Sequence, residues 1–321
     1  IIEASAAKTK KAYRPITAFL HTEFDLTAKQ GIAAKKAKEQ GRPIPLTGLR
    51  TGLHRLDQMT CGLQRGDLVI VAARPSMGKT ALAMQIGEHV ANDGEPVLVI
   101  SLEMSGGSLT RRMMFSVGRL NAVKFREGRV IEDDMHALVH ACDRISKLPI
   151  SIDDRSGLSI REMKAVARRW RKDPDVFPRD KNLTGMILVD YIQLGQGDEN
   201  AERRDIEIGQ ITKGLKGIAK ELELPVVALS QLNRGVDSRS DHRPQLGDMR
   251  ESGNIEQDAD TIMFIYREAR YLADDHPEKI LKEHEAEVII GKQRNGEVGT
   301  VHLYWHGAHT RFENPAHHGE R

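Results

Sequence analysis

The run Ala73-Arg-Pro-Ser-Met-Gly-Lys-Thr80 constrains this chain more than any other feature, because of what stands on either side of it. Before it comes Leu68-Val-Ile-Val-Ala72, a continuous apolar segment. After it, Ala81, Leu82, Met84 and Ile86 follow at the spacing of an apolar helix face. A glycine-containing turn between a buried strand and a helix is the setting of a phosphate-binding loop. The amides of Ser76, Met77, Gly78, Lys79, Thr80 and Ala81 would cradle phosphate oxygens at a helix N-terminus, where the backbone dipoles favour negative charge. Lys79 would reach the β and γ oxygens of a nucleoside triphosphate and Thr80 would ligate Mg²⁺. Ala73 stands where the motif has its first glycine, but Gly78-Lys79-Thr80 after a buried strand is poorly explained as a structural turn.

The same type of apolar run recurs downstream, in Val97-Leu-Val-Ile-Ser101, Met186-Ile-Leu-Val-Asp190, Pro225-Val-Val-Ala-Leu-Ser230, Thr261-Ile-Met-Phe-Ile265 and Glu287-Val-Ile-Ile290. Continuous apolar strands belong to a sheet covered on both faces. Helical patterns lie between them. Ser159-Ile-Arg-Glu162 matches a capping box, with Met163, Val166 and Trp170 following at helical spacing, and Ile208, Ile211, Leu215, Ile218 and Leu222 share one helix face. The chain is therefore expected to be α/β, with a mostly parallel central sheet flanked by helices.

Two acids and an amide close strands that belong beside the phosphate loop. Asp190 ends Met186-Ile-Leu-Val-Asp190 and is the candidate for holding the metal and its water shell. Glu103, just past Ser101, is the general-base candidate for activating water. Gln231 follows Ser230; its amide can donate to a phosphate oxygen and accept from water, which suits a γ-phosphate sensor as well as a solvated surface position. The pair Asp153-Asp154 reads as a turn.

Composition narrows the setting. The hydrophobic fraction of 39% rises to roughly 46% when Gly is counted and Tyr left out, an ordinary globular value. No apolar run approaches the roughly 18 residues of a membrane span, and no charged-then-apolar leader opens the chain, so a cytoplasmic location is expected. Cys61 and Cys142 supply neither a disulfide framework nor a zinc template. The formal charge of +2 conceals an asymmetry: residues 1–42 carry nine Lys/Arg against four Asp/Glu, and the remainder is net negative. That first segment, rich in Ala and Lys and closed by Gly41-Arg-Pro-Ile-Pro45, is expected to be a helical arm and linker over 1–45, with the α/β domain over 46–321. An opening Ile1-Ile2 without Met suggests a piece of a longer protein.

Six strings in one order, Ala72-Ala-Arg-Pro-Ser-Met-Gly-Lys-Thr80, Ser101-Leu-Glu-Met104, Val189-Asp-Tyr-Ile-Gln-Leu194, Ser230-Gln-Leu-Asn-Arg234, Arg250-Glu-Ser-Gly-Asn-Ile-Glu-Gln-Asp-Ala-Asp260 and Gly291-Lys-Gln-Arg-Asn-Gly296, resemble the motifs of DnaB-type replicative helicases, from about Thr47 to Phe312. The resemblance implies a RecA-like P-loop ATPase in a homo-hexameric ring, with ATP and Mg²⁺ between subunits and single-stranded DNA through the hole, moving 5′ to 3′. It implies Glu103 as catalytic carboxylate, Gln231 as phosphate sensor, Arg294 as a finger into the neighbour's ATP with Lys292 beside it, and a loop at Arg250, Glu251 and Gly253 on DNA phosphates. A loader and a primase are further implied partners; primase meets the additional helical N-terminal domain of family members, and the resemblance does not reach that domain here. The resemblance also implies a bacterial or phage-infected host cell. The alternative left open is a RecA-like DNA-dependent ATPase, a recombinase or regulator that assembles on DNA without unwinding it.

Two of these implications meet independent chemistry. Asn295-Gly296 between apolar runs is a hairpin signal, which puts Lys292 and Arg294 near a projecting tip, although two such charges also serve to blunt an exposed hairpin. Aromatic residues make up only 4% of the chain, too few for a base-stacking platform. A phosphate-tracking contact through Arg250, with Gly253 allowing close backbone approach, fits better. Arg203, Arg204, Arg234, Arg239 and Arg243 are further candidates, each also readable as a solvated charge.

Overall fold

The computed structural model describes residues 15–42, 44–196 and 204–315, with the side chains of 204 and 250–254 outside the description. The chain divides into two compact units, Ile1–Thr47 and Gly48–Arg321. In the first, helix α1 (Thr17–Glu39) carries Lys36 and Lys38 in its last turn and is followed by Gly41 at φ +62°. Ile16, Leu20 and Phe24, four residues apart, are exposed, as are Leu26 and Ile32. Among the described residues of this unit, no other helix or strand covers that stripe.

The second unit runs α2 (His54–Thr60), β1 (Leu68–Ala73), α3 (Lys79–Asn92), β2 (Val97–Ser101), α4 (Gly106–Val117), α5 (Ala122–Arg126), α6 (Glu132–Ser146), β3 (Ile150–Asp153), α7 (Ile160–Lys172), β4 (Met186–Asp190), α8 (Arg204–Leu222), β5 (Val226–Gln231), α9 (Gly253–Asp258), β6 (Thr261–Tyr266), α10 (Pro277–Lys282), β7 (Glu285–Gln293), β8 (Gly299–His306) and β9 (Arg311–Glu313). The strands form one sheet in the order β3-β2-β4-β5-β1-β6-β7-β8-β9. From β3 to β6 every pairing is parallel; from β6 to β9 every pairing is antiparallel. The expected mostly parallel, helix-flanked sheet is thus present, with an antiparallel extension at one side.

Alternation along β1 explains why it reads as a continuous apolar run. Val69, Val71 and Ala73 pack into one core with α3 and the β7–β9 extension, while Leu68, Ile70 and Ala72 pack into the other with α7 and α8. On α7, Ser159 and Glu162 form the capping box, and Ile160, Met163, Ala167 and Trp170 are buried. Ile208, Ile211, Leu215 and Ile218 bury the matching face of α8. The β7–β8 connection spans residues 294–298 rather than a two-residue turn at Asn295-Gly296. Asp153 and Asp154, read as a turn, instead end β3 and follow it, ahead of the turn at residues 156–157: Asp153 accepts from the Arg155 guanidinium, and Asp154 Oδ2 accepts from the Gly106 amide that opens α4.

Parallel pairing brings the carboxyl ends of β2, β4, β5 and β1 to one edge, side by side in that order, with Ser101 beside Asp190 and Ala73 beside Gln231. Ligands of open α/β sheets bind at that edge.

Candidate nucleotide site

Chain direction does most of the work of building the site. The backbone leaves β1 at Ala73, reverses through Ser76 (φ +66°) and Gly78 (φ +101°), and enters α3 at Lys79. The first helical amide bond is Leu82 N to Gly78 O at 2.9 Å, so the amides of Lys79, Thr80 and Ala81 occupy the first turn, whose N–H groups have no intrahelical acceptor. The Met77 amide makes a long turn bond to Arg74 O (3.4 Å), and its side chain is buried. Gly78 is required twice over. Its φ is left-handed, and an added Cβ would lie 2.9 Å from Phe312 Cζ and 3.1 Å from the Trp305 ring. The antiparallel extension therefore backs the loop, and it is fastened there: Gln85 of α3 exchanges two hydrogen bonds with the Phe312 backbone (2.7 and 2.9 Å), and Arg311 donates to the buried Glu88 (2.7 Å).

Thr80 and Asp190 meet. Thr80 Oγ1 donates to Asp190 Oδ2 at 2.8 Å, and Asp190 is fully buried at the end of β4. Its other oxygen, Oδ1, is buried without a hydrogen-bond partner. Burial pushes the carboxyl above its ordinary range, against the Thr80 hydrogen bond and the Lys79 charge. A buried carboxylate oxygen with no donor, next to a hydroxyl, suits a hard divalent cation, which takes oxygen ligands.

Lys79 is half-buried rather than solvent-facing, with Nζ 4.2 Å from the centre of the Tyr191 ring. Desolvation lowers its ammonium below the usual lysine range, opposed by the charges of Asp190 and Glu103. Glu103 is exposed, two residues beyond β2, in a turn closed by Ser101 Oγ on Met104 O (2.7 Å). Gln231 ends β5 with its side chain exposed. Its backbone is held by Gln193, whose amide donates to Ser230 Oγ (2.8 Å) and Gln231 O (3.2 Å) and accepts from Gln231 N (3.2 Å). Gln193 has no role in the sequence-based site; its place in Val189-Asp-Tyr-Ile-Gln-Leu194 was the available signal. Arg74, also unforeseen, donates to Asp237 and to Leu232 O beyond β5.

Lys292 and Arg294 are not brought into this cluster. Gln293 pairs with Thr261, at the amino end of β6, so both cations sit at the opposite edge of the sheet from the phosphate loop. The six residues of β1 separate the edges by roughly 20 Å at about 3.3 Å per residue. Nor do they project from a free tip, as expected. Lys292 Nζ donates to Glu256 O and Ala259 O (2.8 Å to the latter), and Arg294 donates to Gln257 O (2.5 Å) and lies 3.5 Å from Asp260. The cause is local: α9 ends at Asp258, and last-turn carbonyls lack intrahelical donors, so nearby cations bind them. Burial and Arg294 lower the Lys292 ammonium.

Arg250 and Glu251 lie in the 3₁₀ stretch Leu246–Ser252, and Gly253 opens α9, so the expected loop is short helical turns. The side chains of these three positions lie outside the described residues, as does Arg203 altogether and the side chain of Arg204. Arg239 and Arg243 are spent inside the fold on Asp248 and Glu287, whereas Arg234 is exposed.

The family model of the DnaB-like helicase C-terminal domain matches residues 48–314. Over 98% of its length the chain is 44% identical to the replicative DNA helicase DnaC of Bacillus subtilis (strain 168) and, equally, to the replicative DNA helicase DnaB of Geobacillus stearothermophilus, spanning 65% of each. Among solved structures, an isolated ATPase domain superimposes with a TM-score of 0.77 at 35% identity, covering 89% of this chain and 98% of that one. A DnaB-like replicative helicase, solved in a study of its interactions with primase, superimposes with 0.78 at 34% identity, covering 94% and 71%.

Proposed function

The chain belongs to the family of DnaB-like helicase C-terminal domains, and we propose that it is the ATP-hydrolysing motor of a replicative DNA helicase. It translocates 5′ to 3′ on single-stranded DNA and unwinds duplex at the fork as a homo-hexamer. One observation carries the shared-site geometry: Lys79, Thr80, Asp190 and Glu103 gather at one edge of the sheet, and Arg294 stands at the other. A finger about one strand length from its own phosphate loop would serve a neighbour's, which fits head-to-tail assembly, a ring where the rotation closes.

In this mechanism the first-turn amides of α3 and Lys79 bind and orient the triphosphate. Thr80 and Asp190 would hold Mg²⁺, which would supply neutralisation of charge developing on the phosphoryl oxygens. Glu103 takes the proton of the attacking water, Gln231 bonds the γ-phosphate, and Arg294 of the adjoining copy, with Lys292 beside it, stabilises the transition state. Arg250, Glu251 and Gly253 follow DNA phosphates, a contact without sequence information and so suited to passage over any strand. The ring works in the cytoplasm of a bacterial or phage-infected cell and is placed on DNA by a loader; primase contact belongs to the additional N-terminal domain of the family.

Strand displacement tests the proposal. With ATP and Mg²⁺ the chain should release a labelled strand from a forked duplex carrying a 5′ single-stranded tail. ATP turnover on DNA without strand release would instead identify an ATPase that only assembles there.

A further inference from the structure

Arg74 opens the phosphate loop, yet its guanidinium is committed to the segment that follows β5. Its Nε donates to Asp237 Oδ1 (3.1 Å), Nη2 to Asp237 Oδ2 (2.5 Å) and Nη1 to Leu232 O (2.8 Å). The Arg74 side chain is 14% exposed and that of Asp237 42%. Asp237 lies in the 3₁₀ turn Arg234–Ser238, and two residues on a second fork repeats the arrangement. Arg239 Nη1 and Nη2 donate to Asp248 Oδ1 and Oδ2 at 2.6 and 2.8 Å. Asp248 is buried, accepts also from Gln245 N (2.6 Å), and receives Asn233 N on its own carbonyl (3.1 Å). It belongs to the stretch Leu246–Ser252, two positions before Arg250. A bidentate fork fixes orientation as well as distance, so displacement of one partner is passed on as displacement of the other.

We propose that Arg74 and Asp237 are positioning residues that link the phosphate loop to the segment leading to Gly253, through two bidentate arginine–aspartate pairs in series. The inference rests on the assignment of that segment to DNA. Asp237 is open to solvent on its side of the pair, which keeps the contribution to stability modest and leaves geometry, rather than energy, as the consequence to be sought.

The test measures single-stranded oligonucleotide affinity by fluorescence anisotropy, with Mg²⁺, in the presence and absence of a non-hydrolysable ATP analogue. In the unmodified chain the analogue should change DNA affinity by a factor in the roughly 5- to 150-fold range of such couplings. Asp237→Asn should cut that factor by at least about threefold, while analogue affinity without DNA moves less than about twofold and the melting temperature stays put. Asp237→Glu, which keeps both oxygens and the charge, should recover part of the factor. The reciprocal measurement, analogue affinity with and without DNA, must return the same number in each variant. An undiminished factor in Asp237→Asn overturns the link. So does a loss of melting temperature and analogue affinity together, which would make the pair a brace. If the unmodified chain binds DNA equally with and without the analogue, the motor assignment itself falls.

Discussion

The two edges of the central sheet both carry cations, in opposite states. At the carboxyl edge, Lys79 lies over Tyr191 in reach of the charges of Asp190 and Glu103, and Asp190 keeps one buried oxygen with no donor. At the amino edge, Lys292 and Arg294 are already satisfied, by the closing carbonyls of α9 and by Asp260. The first edge is built around an unmet demand, so it is where a ligand gains most. The second holds its cations on acceptors of its own chain, so delivering them to a neighbour requires exchanging those bonds for phosphate oxygens. A backbone carbonyl is a neutral acceptor, and a charged phosphate oxygen is the stronger one. For Lys292 the exchange would replace neutral acceptors by charged ones, whereas for Arg294 it would also give up the Asp260 carboxylate.

The contrast breaks most easily at Lys79. Lys79→Ala should abolish ATP turnover, a larger loss than any at the other edge, because both binding and orientation of the triphosphate go. The fold should be retained: burial already disfavours the lysine's charge, which offsets the loss of its attraction to Asp190. Steady-state ATPase and a thermal melt check the two halves. Turnover near that of the parent would sink the phosphate-loop assignment.

Arg294→Ala comes next, with an expected loss of roughly 10³ to 10⁵ in rate, or about 4 to 7 kcal/mol of transition-state stabilisation. Mixing this protein with Lys79→Ala under conditions of subunit exchange sharpens the comparison. Each inactive protein supplies the edge that the other lacks, so some interfaces regain a working loop opposite a working Arg294, and activity should return. Exchange confirmed by mass, with no single-turnover ATP cleavage at any ratio, would place Arg294 outside the neighbour's site.

The carboxyl edge was largely legible in the sequence, and the amino edge was not, for a physical reason. Strands β1, β2, β4, β5 and β6 are buried on both faces, so their apolar runs mark their ends to within a residue. The motif chemistry of Gly78-Lys79-Thr80 and of Asp190 is written in adjacent positions. β7 and β8 alternate between buried and partly exposed residues and so extend beyond their apolar centres, which hid the longer turn at residues 294–298. α4 and α6 bury little, Leu109 and Met113 in one and Ala141 in the other, and leave a faint pattern. Gln193 and Arg74 act on β5 and the turn after it, partners set by strand order, which spacing along the chain does not reveal.

A weaker effect is expected of the arm. Its stripe of Ile16, Leu20 and Phe24 is an exposed apolar surface, and a neighbouring copy of the chain is the partner we propose for it. Deleting residues 1–40 should lower the particle mass measured in solution with Mg²⁺ and a non-hydrolysable ATP analogue, while leaving nucleotide binding at the carboxyl edge intact. Assembly equal to that of the parent would reduce the arm to a tether.

The smallest expected change tests whether the segment between the two edges meets DNA at all. Arg250 precedes α9, the helix whose other end receives Lys292 and Arg294, so a strand held at Arg250 would lie one short helix away from those two cations. A cation that neutralises one phosphate of a single strand releases about 0.7 of a counterion, and the logarithm of affinity falls with the logarithm of salt by that amount per contact. Arg250→Ala should therefore make the salt slope shallower by about 0.7 per subunit engaged. The weakening should be uniform across oligonucleotides of different sequence, since a phosphate contact reads no base. Titrations at four or more salt concentrations, on a pyrimidine-only and a mixed strand, give slope and sequence dependence together. Weaker binding with an unchanged slope would mean that Arg250 supports the fold of the segment without touching phosphate. Loss confined to one sequence would make it a base contact, which a motor that must pass every sequence has no use for.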